Sequence, residues 1–285
     1  MSTENIAIIT PSYGPDFERC RLLARSVEQH VAEPTRHFVL VEHRDRKQFQ
    51  TIEGPRTQIV PVEEIVPSWL HRLPFSKNFL FSTRTRPVRN WIWQQLVKLS
   101  VAEHIDADVF VFVDSDVLFV RDFEPATLVR DGRTRMFRAP GAAQLETHLR
   151  WHRSAARLLG LEERDYFGAD YIGDIVTWRR DHLRALHRRI ESATGTSWQR
   201  AIARTWHLSE YILYGVFVDQ ILDGGSHFYT DEGLCQISWN YQVDDLESLE
   251  RVFLEVRPEH VAVMVDAKLG IPAAHYEPLL ATVPS

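Results

Sequence analysis

The run Val109–Val113 constrains the fold of this chain more than any other segment, because it is entirely apolar and leads directly into Asp114-Ser115-Asp116. A strand has apolar side chains on both faces when both faces of its sheet are covered, as they are where helices pack on either side. The carboxyl ends of such strands are the edge at which open α/β sheets bind ligands. The run therefore predicts a buried central strand of an α/β fold with a polar site at its end.

Segments before and after this strand predict the alternation of strands and helices that builds a parallel sheet. Residues 6–9 and 38–41 are apolar runs, and between them apolar residues recur at helical spacing from Phe17 to Val31, with Asp16 at the N-cap position. Such a strand-helix-strand unit favours parallel pairing with a right-handed crossover. Further strands are predicted at residues 58–62, 117–120, 171–178 and 260–265, and further helices at residues 91–102, 144–159, 181–192 and 209–222. Residues 67–87 are predicted to form an irregular loop over the site, and the tail from residue 268 is predicted to be irregular.

Composition limits the classes of function. The chain has 285 residues, no Pro/Gly/Ser-rich linker and a net charge of −6, which predicts a single domain, residues 1–285, without the positive surface that holds nucleic acid. The sequence shows neither the basic start and long apolar stretch of a secretion signal nor an apolar run of membrane-spanning length, so we expect a cytoplasmic protein. Cys20 and Cys235 stand far apart and have no Cys-x-x-Cys spacing, which argues against a disulfide framework and a cysteine-based zinc site.

The two carboxylates after the central strand indicate a bound metal ion. If the backbone stays extended, Asp114 and Asp116 project to the same side, because side chains alternate along a strand. Two carboxylates close together in a partly dry cleft repel each other unless a cation lies between them. Oxygen ligands select Mg²⁺ or Mn²⁺, which keep open positions for diphosphate oxygens. An acidic turn without any ligand is the alternative that this motif leaves open.

Several motifs, taken in order, resemble those of a known enzyme family. The Asp114-Ser115-Asp116 turn is similar to the Asp-x-Asp motif of nucleotide-sugar glycosyltransferases with the GT-A fold. Residues 8–13, Ile-Ile-Thr-Pro-Ser-Tyr, resemble their first strand and donor loop, residues 90–99 resemble the helix before their Asp-x-Asp, and residues 209–215 resemble a late motif of an uncharacterised bacterial branch. The resemblance implies a metal-dependent glycosyltransferase with one GT-A-like domain, in which about residues 1–120 bind a nucleoside-diphosphate sugar and residues 121–285 form the acceptor half. The acceptor, a glycan, a lipid-linked molecule or a small molecule, stays open.

The same resemblance assigns residues to the donor site. The implied donor-binding residues are Thr10, Pro11, Ser12, Tyr13, Glu42, Asp114, Ser115 and Asp116, with Glu42 near the base or ribose. Gln94, Gln95 and Lys98 lie within about one turn of one another on a predicted helix and are further candidates, although the polar outer face of an amphipathic helix explains them equally well. Lys268 is expected to contact a phosphate as a point charge.

Two roles have several candidates each. Family members usually supply another metal ligand near the C-terminus, and of the candidates Asp266 and His275 we prefer Asp266 because it directly follows the last predicted strand. Inverting transfer needs a side chain that takes the proton of the attacking hydroxyl. Glu210 is the first candidate, and Asp174 and Asp170 come next. Glu210 also suits a helix-stabilising role in the first turn of its helix.

Two other functions compete with this hypothesis. Residues 114–117 also resemble the nucleophile motif of haloacid-dehalogenase-type phosphatases, although that motif ordinarily follows the first strand of the core, and Leu118 stands where a small or β-branched residue is usual. A catalytically inactive protein that binds a nucleotide sugar is the second alternative. A trapped phosphate on Asp114 would identify the phosphatase, and donor hydrolysis with manganese would exclude the inactive binder.

Overall fold

The structure, a computed structural model, describes residues 4–284 with the exception of residues 74, 75, 77, 143 and 144. It confirms the α/β class, because a mostly parallel five-stranded sheet is flanked by helices. The strands are β1 (Ile6–Pro11), β2 (Arg36–Val41), β3 (Thr57–Pro61), β4 (Leu70–Arg72), β5 (Phe79–Ser82), β6 (Val88–Arg89), β7 (Val109–Val113), β8 (Val117–Phe119), β9 (Val129–Arg130), β10 (Arg133–Phe137), β11 (Ala139–Pro140), β12 (Ala169–Asp170), β13 (Ile175–Arg179), β14 (His227–Thr230), β15 (Cys235–Ile237) and β16 (Ala262–Met264). The helices are α1 (Phe17–His30), α2 (His43–Phe49), α3 (Asn90–His104), α4 (Glu146–Leu159), α5 (Arg180–Thr194), α6 (Trp198–Ala203), α7 (Glu210–Ile221), α8 (Leu246–Leu254) and α9 (Ala273–Tyr276).

The order of strands in the central sheet is β3-β2-β1-β7-β13. β1 pairs in parallel with β2 on one side and with β7 on the other, whereas β13 runs antiparallel to β7. From β1 the chain builds outward through β2 to β3, and then crosses to the opposite side of β1 to form β7. The carboxyl ends of β1 and β7 therefore flank the topological switch point, where open α/β sheets bind their ligands.

Both faces of the central sheet are buried, as the sequence of β7 predicts. All five side chains of β7 are buried, and successive residues belong to different cores. Phe110 and Phe112 belong to the core that includes α3, α5 and α7, whereas Val111 belongs to the core that includes α1 and α8. A slip of one residue would exchange the two faces, so this packing fixes the register of β7. It thereby also fixes where Asp114 and Asp116 leave the sheet.

A smaller sheet, in the order β15-β16-β8, lies beside the end of β7. β8 follows the Asp114-Ser115-Asp116 turn directly, and β16 pairs with it in the antiparallel direction. The backbone N–H of Val265, just after β16, donates a hydrogen bond to the carbonyl of Asp116 at 2.9 Å. The C-terminal segment is thus held against the turn that the central strand delivers.

Long elements agree with the sequence predictions more closely than short ones. The predicted strands at residues 6–9, 38–41 and 58–62 and the helix at residues 91–102 are confirmed as β1, β2, β3 and α3, with bounds that differ by a few residues. The strand predicted at residues 171–178 begins only at Ile175. The helix predicted from residue 144 begins at Glu146, and residue 144 itself lies outside the description.

Two predictions of irregular structure were wrong. Within residues 67–87, apart from the undescribed positions 74, 75 and 77, β4 and β5 form an antiparallel sheet that β6 completes. These strands are short and partly exposed, so they lack the apolar run that marks a buried strand. The tail after residue 268 contains the short helix α9. Among the described residues no helix has the length and apolarity needed to cross a membrane.

Candidate metal and donor site

Asp114 and Asp116 follow β7 at its carboxyl end, beside the end of β1. Their surroundings differ although one residue separates them. The side chain of Asp114 is 57% exposed, whereas Asp116 is partly buried. Oδ2 of Asp116 accepts a hydrogen bond from the backbone N–H of Ala267 at 3.1 Å. Asp116 is therefore fixed in direction, while Asp114 is open to a ligand, and Ser115 between them is buried.

Asp174 is a third carboxylate at the same place. Ile175 pairs with Val113 across the antiparallel strands β13 and β7, so Asp174 lies opposite Asp114 at the strand ends. Burial and the negative charges of Asp114 and Asp116 raise the pKa of Asp174 to about 7. Burial and Asp114, with a smaller contribution from Asp266, raise the pKa of Asp116 to about 6. The carboxylates therefore form a cluster whose members repel one another.

The repulsion within this cluster is the observation that fits a metal ion. Burial is the larger cause of the raised pKa values, and a divalent cation near Asp114 and Asp116 would offset the part that comes from repulsion. Mg²⁺ and Mn²⁺ are commonly bound through one or two carboxylates together with substrate phosphates and water. Among the residues that the structure describes, no three Cys, His, Asp or Glu side chains form a complete metal-binding group.

A buried ion pair adjoins the cluster on the side of α3 and α7. Nζ of Lys98 lies 3.3 Å from Oδ1 of Asp114 and 3.1 Å from Oε1 of Glu210, and donates a hydrogen bond to the hydroxyl of Tyr211 at 2.7 Å. Burial lowers the pKa of Lys98, but Asp114, Tyr211 and Glu210 outweigh it and raise that pKa well above its ordinary value. Lys98 is therefore a fixed cation at the edge of the site.

The partners of Glu210 determine what it can do. Glu210 is 3% exposed and lies at the start of α7 behind Ser209, which caps the helix by accepting a hydrogen bond from the Ile212 N–H. Gln95 accepts a hydrogen bond from the backbone N–H of Glu210 at 2.9 Å and donates one to the Trp91 carbonyl at 3.1 Å. Gln95 thus joins α3 to α7, and Glu210 holds Lys98 in place.

The loop after β1 approaches the carboxylates through the short 3-10 turn Gly14–Asp16. Burial raises the pKa of Asp16, Arg19 opposes this rise, and the charge of Asp114 adds to it. Arg19 bonds Asp16 at 3.0 Å and the carbonyl of Ile271 at 3.3 Å. The loop and the C-terminal segment are therefore joined beside Asp114.

The four predicted donor-loop residues, Thr10 to Tyr13, differ in how far their side chains are exposed. Tyr13 is 45% exposed at the start of the turn, and the Ser12 N–H donates to the Leu40 carbonyl at 2.9 Å. Pro11 is partly buried at the end of β1. Thr10 is fully buried, and its hydroxyl bonds Nε2 of His37 at 3.0 Å. The side chain of Thr10 therefore lies in the core rather than at the surface of the loop.

Other predicted donor residues have partners within the protein. Glu42 follows β2, the neighbour of β1, and its carboxylate is bound by Arg72 at 2.5 Å and Arg44 at 2.9 Å. Gln94 is exposed on α3. Glu42 thus lies at the carboxyl end of β2 and is already paired with Arg72 and Arg44.

The C-terminal candidates form a group of their own. Asp266 accepts hydrogen bonds from the indole N–H of Trp239 at 2.7 Å and from the backbone N–H of Lys268 at 2.9 Å. Nζ of Lys268 lies 6.0 Å from the centre of the Trp239 ring. Asp266 is close enough to affect the pKa of Asp116, whereas His275 is exposed on α9.

Asp170 is bound by groups away from the Asp114–Asp174 pair. One carboxylate oxygen accepts hydrogen bonds from the backbone N–H groups of Tyr171 at 2.7 Å and Ile172 at 2.9 Å. The other lies 2.8 Å from Nδ1 of His148. These bonds shape the turn before β13, so Asp170 positions the segment that brings Asp174 to the cluster.

Three residues of the site have no assigned role in the sequence analysis, namely Arg19, Tyr211 and Trp239. Arg19 follows Asp16 by three residues, a spacing that predicts an ion pair on one helix face. Tyr211 lies next to Glu210 within the late motif. Trp239 contacts Asp266 only through tertiary structure, and no local pattern identifies such a contact.

Comparison with known proteins identifies a family. No protein with a curated description matches this chain. Residues 4–239 match a family described as "Family of unknown function (DUF6492)". The matched segment includes β1, β7, β13 and the start of α7, and thus Asp114, Asp116, Asp174, Lys98 and Glu210, but neither Asp266 nor Lys268. Because the match covers most of its length, the chain belongs to the DUF6492 family.

Proposed function

We propose that this protein is a metal-dependent glycosyltransferase, in one GT-A-like domain, that moves a sugar from a nucleoside-diphosphate donor to an acceptor hydroxyl. The observation that supports it most is the convergence of Asp114, Asp116 and Asp174 at the switch point between β1 and β7. A cluster of carboxylates there suits an anionic ligand that arrives with a cation, as nucleoside diphosphates do with Mg²⁺ or Mn²⁺.

On the donor side, Asp114 and Asp116 are the residues that would hold the cation. A cation bound there would offset the charge that develops on the departing diphosphate. Tyr13 presents an exposed ring on which a nucleobase can stack. Lys98, which Glu210 and Tyr211 keep in place, supplies a positive charge to a phosphate or sugar oxygen near Asp114.

On the acceptor side, Asp174 is a better proton acceptor than Glu210. A general base must come within hydrogen-bonding reach of the hydroxyl that it deprotonates. Glu210 is 3% exposed and its carboxylate is 3.1 Å from Lys98, so it faces a side chain of the protein. Asp174 is partly exposed beside Asp114, where the sugar-phosphate bond would lie. Glu210 then acts as a positioning residue for Lys98.

Donor hydrolysis tests the proposal without knowledge of the acceptor. We expect Mn²⁺-dependent release of nucleoside diphosphate from at least one donor in a panel of UDP-, GDP- and ADP-sugars, and loss of this release in EDTA. No release from any donor, in the presence of cell extract as a source of acceptors, would contradict a transferase.

The two carboxylate assignments are separated by a pair of matched variants. Asp174→Asn is expected to lower turnover by about 100-fold or more and to leave donor affinity unchanged, since general base catalysis commonly contributes at least that factor. Glu210→Gln is expected to weaken donor affinity, because Lys98 loses a partner, and to retain the larger share of turnover. The reverse pattern would return the base role to Glu210.

A further inference from the structure

A cavity of about 480 Å³ shares no lining residue with the carboxylate cluster. Its walls come from the C-terminal half of α4, the end of α5, α6 and the segment 204–207 that precedes α7. A cavity of this size accommodates a small organic molecule rather than a few waters.

The charged groups that line the cavity are all basic. Arg157 and Arg204 line it together with His207, and no Asp or Glu is among its described lining residues. Neither arginine forms an ion pair with any residue in the part of the chain that the structure describes. Burial, with the guanidinium groups of Arg150 and Arg89, lowers the pKa of His207. The described lining therefore contains two exposed guanidinium groups and no carboxylate.

Hydroxyl groups and an aromatic ring complete the lining. Ser154, Thr194, Thr196 and Thr205 contribute hydroxyls. Trp206 lines the cavity and is 54% exposed, so its ring is accessible to a ligand. Arg89 donates a hydrogen bond to the Trp206 carbonyl at 2.8 Å and places its guanidinium 5.1 Å from the ring centre. The ring is thus held in place before any ligand binds.

We propose that this cavity binds an anionic saccharide, whose oxyanion group is bound by Arg157 and Arg204 and whose sugar ring packs on Trp206. Guanidinium groups pair with phosphate and carboxylate oxygens through two parallel hydrogen bonds. Hydroxyl side chains suit the hydroxyls of a sugar, and an indole offers an apolar face to its C–H groups. The proposal concerns a second ligand site and stands apart from the transfer reaction.

Isothermal titration calorimetry on the full chain tests this site. The probes are glucose 6-phosphate and glucuronate. Glucose serves as the control for the uncharged sugar, and inorganic phosphate as the control for an anion without a sugar. We expect at least one anionic sugar to bind at least about tenfold more tightly than glucose or phosphate, the factor that one charge-assisted hydrogen bond supplies. The better of the two anionic probes shows whether phosphate or carboxylate is preferred.

Matched variants locate the binding. Arg157→Ala and Arg204→Ala should each weaken the anionic sugar about tenfold or more, whereas Arg188→Ala, an exposed arginine on α5 outside the cavity, should not. Trp206→Ala should weaken glucose 6-phosphate and leave inorganic phosphate unchanged. Asp116→Ala should leave the affinity unchanged, which separates this site from the donor site. Thermal unfolding of each variant verifies that it is folded.

Three outcomes would overturn the proposal. They are equal or weaker binding of both anionic sugars relative to glucose, an equal loss of affinity in Arg188→Ala and Arg204→Ala, and a loss of binding in Asp116→Ala. The first would remove the role of charge, the second would make the effect one of net charge, and the third would place the probe at the carboxylate cluster.

Discussion

The carboxylate of Asp219 and those of the Asp114–Asp116–Asp174 cluster differ in the partners that surround them. The carboxylate of Asp219 on α7 is bound by Nε of Arg138 at 2.8 Å and by the hydroxyls of Tyr171 at 2.6 Å and Tyr229 at 2.5 Å. The pKa values of Asp116 and Asp174 are instead raised, first by burial and then by the negative charges of neighbouring carboxylates.

The difference distinguishes a structural carboxylate from one that is left for a ligand. A buried carboxylate with a cation and two hydroxyl donors is satisfied by the fold itself. A cluster whose members repel one another lowers the stability of the folded state, and such a cost is typical of functional sites. Asp219 should therefore matter for stability, and the cluster should matter for binding.

The largest effect is expected for Asp116→Ala, which removes a metal-holding carboxylate. We expect metal-dependent binding of the best nucleoside diphosphate to fall by at least about 100-fold, since even indirect partners of a metal contribute factors of 10–100. Calorimetric titration with Mn²⁺ present measures this, and the thermal midpoint shows whether the fold is intact. Unchanged affinity would remove Asp116 from the metal site.

Asp219→Ala should produce the opposite pattern. It leaves the hydroxyl of the buried Tyr171 without its acceptor and Arg138 without its counter-charge, so we expect the free energy of unfolding to fall by about 3 kcal/mol. Urea denaturation measures the loss, and donor binding at a temperature well below the transition should be unchanged. Weaker donor binding with full stability would show that the two regions do not differ as described.

Asp116→Asn is expected to raise the free energy of unfolding in the absence of metal, by less than Asp219→Ala lowers it. The pKa of Asp116 is raised in the folded state, so its contribution to stability is complete below about pH 4 and is lost as the pH rises through about 6. At pH 7.5 the asparagine variant should therefore unfold with a free energy about 1–3 kcal/mol higher than the wild type. The two should converge at pH 4. A variant that is less stable at pH 7.5 would mean that burial and the neighbouring carboxylates do not raise the pKa of Asp116.

The parts of the fold that the sequence predicts are those whose pattern is local and strong. β7 has five apolar residues in a row, and α3 has apolar residues at helical spacing, so both are found close to their predicted bounds. The three short strands β4, β5 and β6 have neither feature, because half-exposed strands of two to four residues lack a distinct period.

The sequence predicts the positions of Asp114 and Asp116 in the candidate site better than those of the residues around them. Asp114 and Asp116 follow a strand whose burial is evident, which predicts their place at the sheet edge. The position of Asp174 depends on the antiparallel pairing of β13 with β7, a long-range contact that no local pattern contains. Gln95 and Thr10 have the polarity of binding residues but bond other parts of the protein, and polarity alone does not distinguish these uses.

The central claim, that the carboxylates at the end of β7 bind a nucleoside diphosphate through a divalent cation, is tested most directly by thermal unfolding. The protein is heated with UDP, GDP, CDP or ADP, each with Mn²⁺ and with EDTA. A ligand that binds only the native state raises the unfolding midpoint. The account predicts that at least one diphosphate raises the midpoint with Mn²⁺ and not with EDTA. A midpoint that no diphosphate changes under either condition would contradict it.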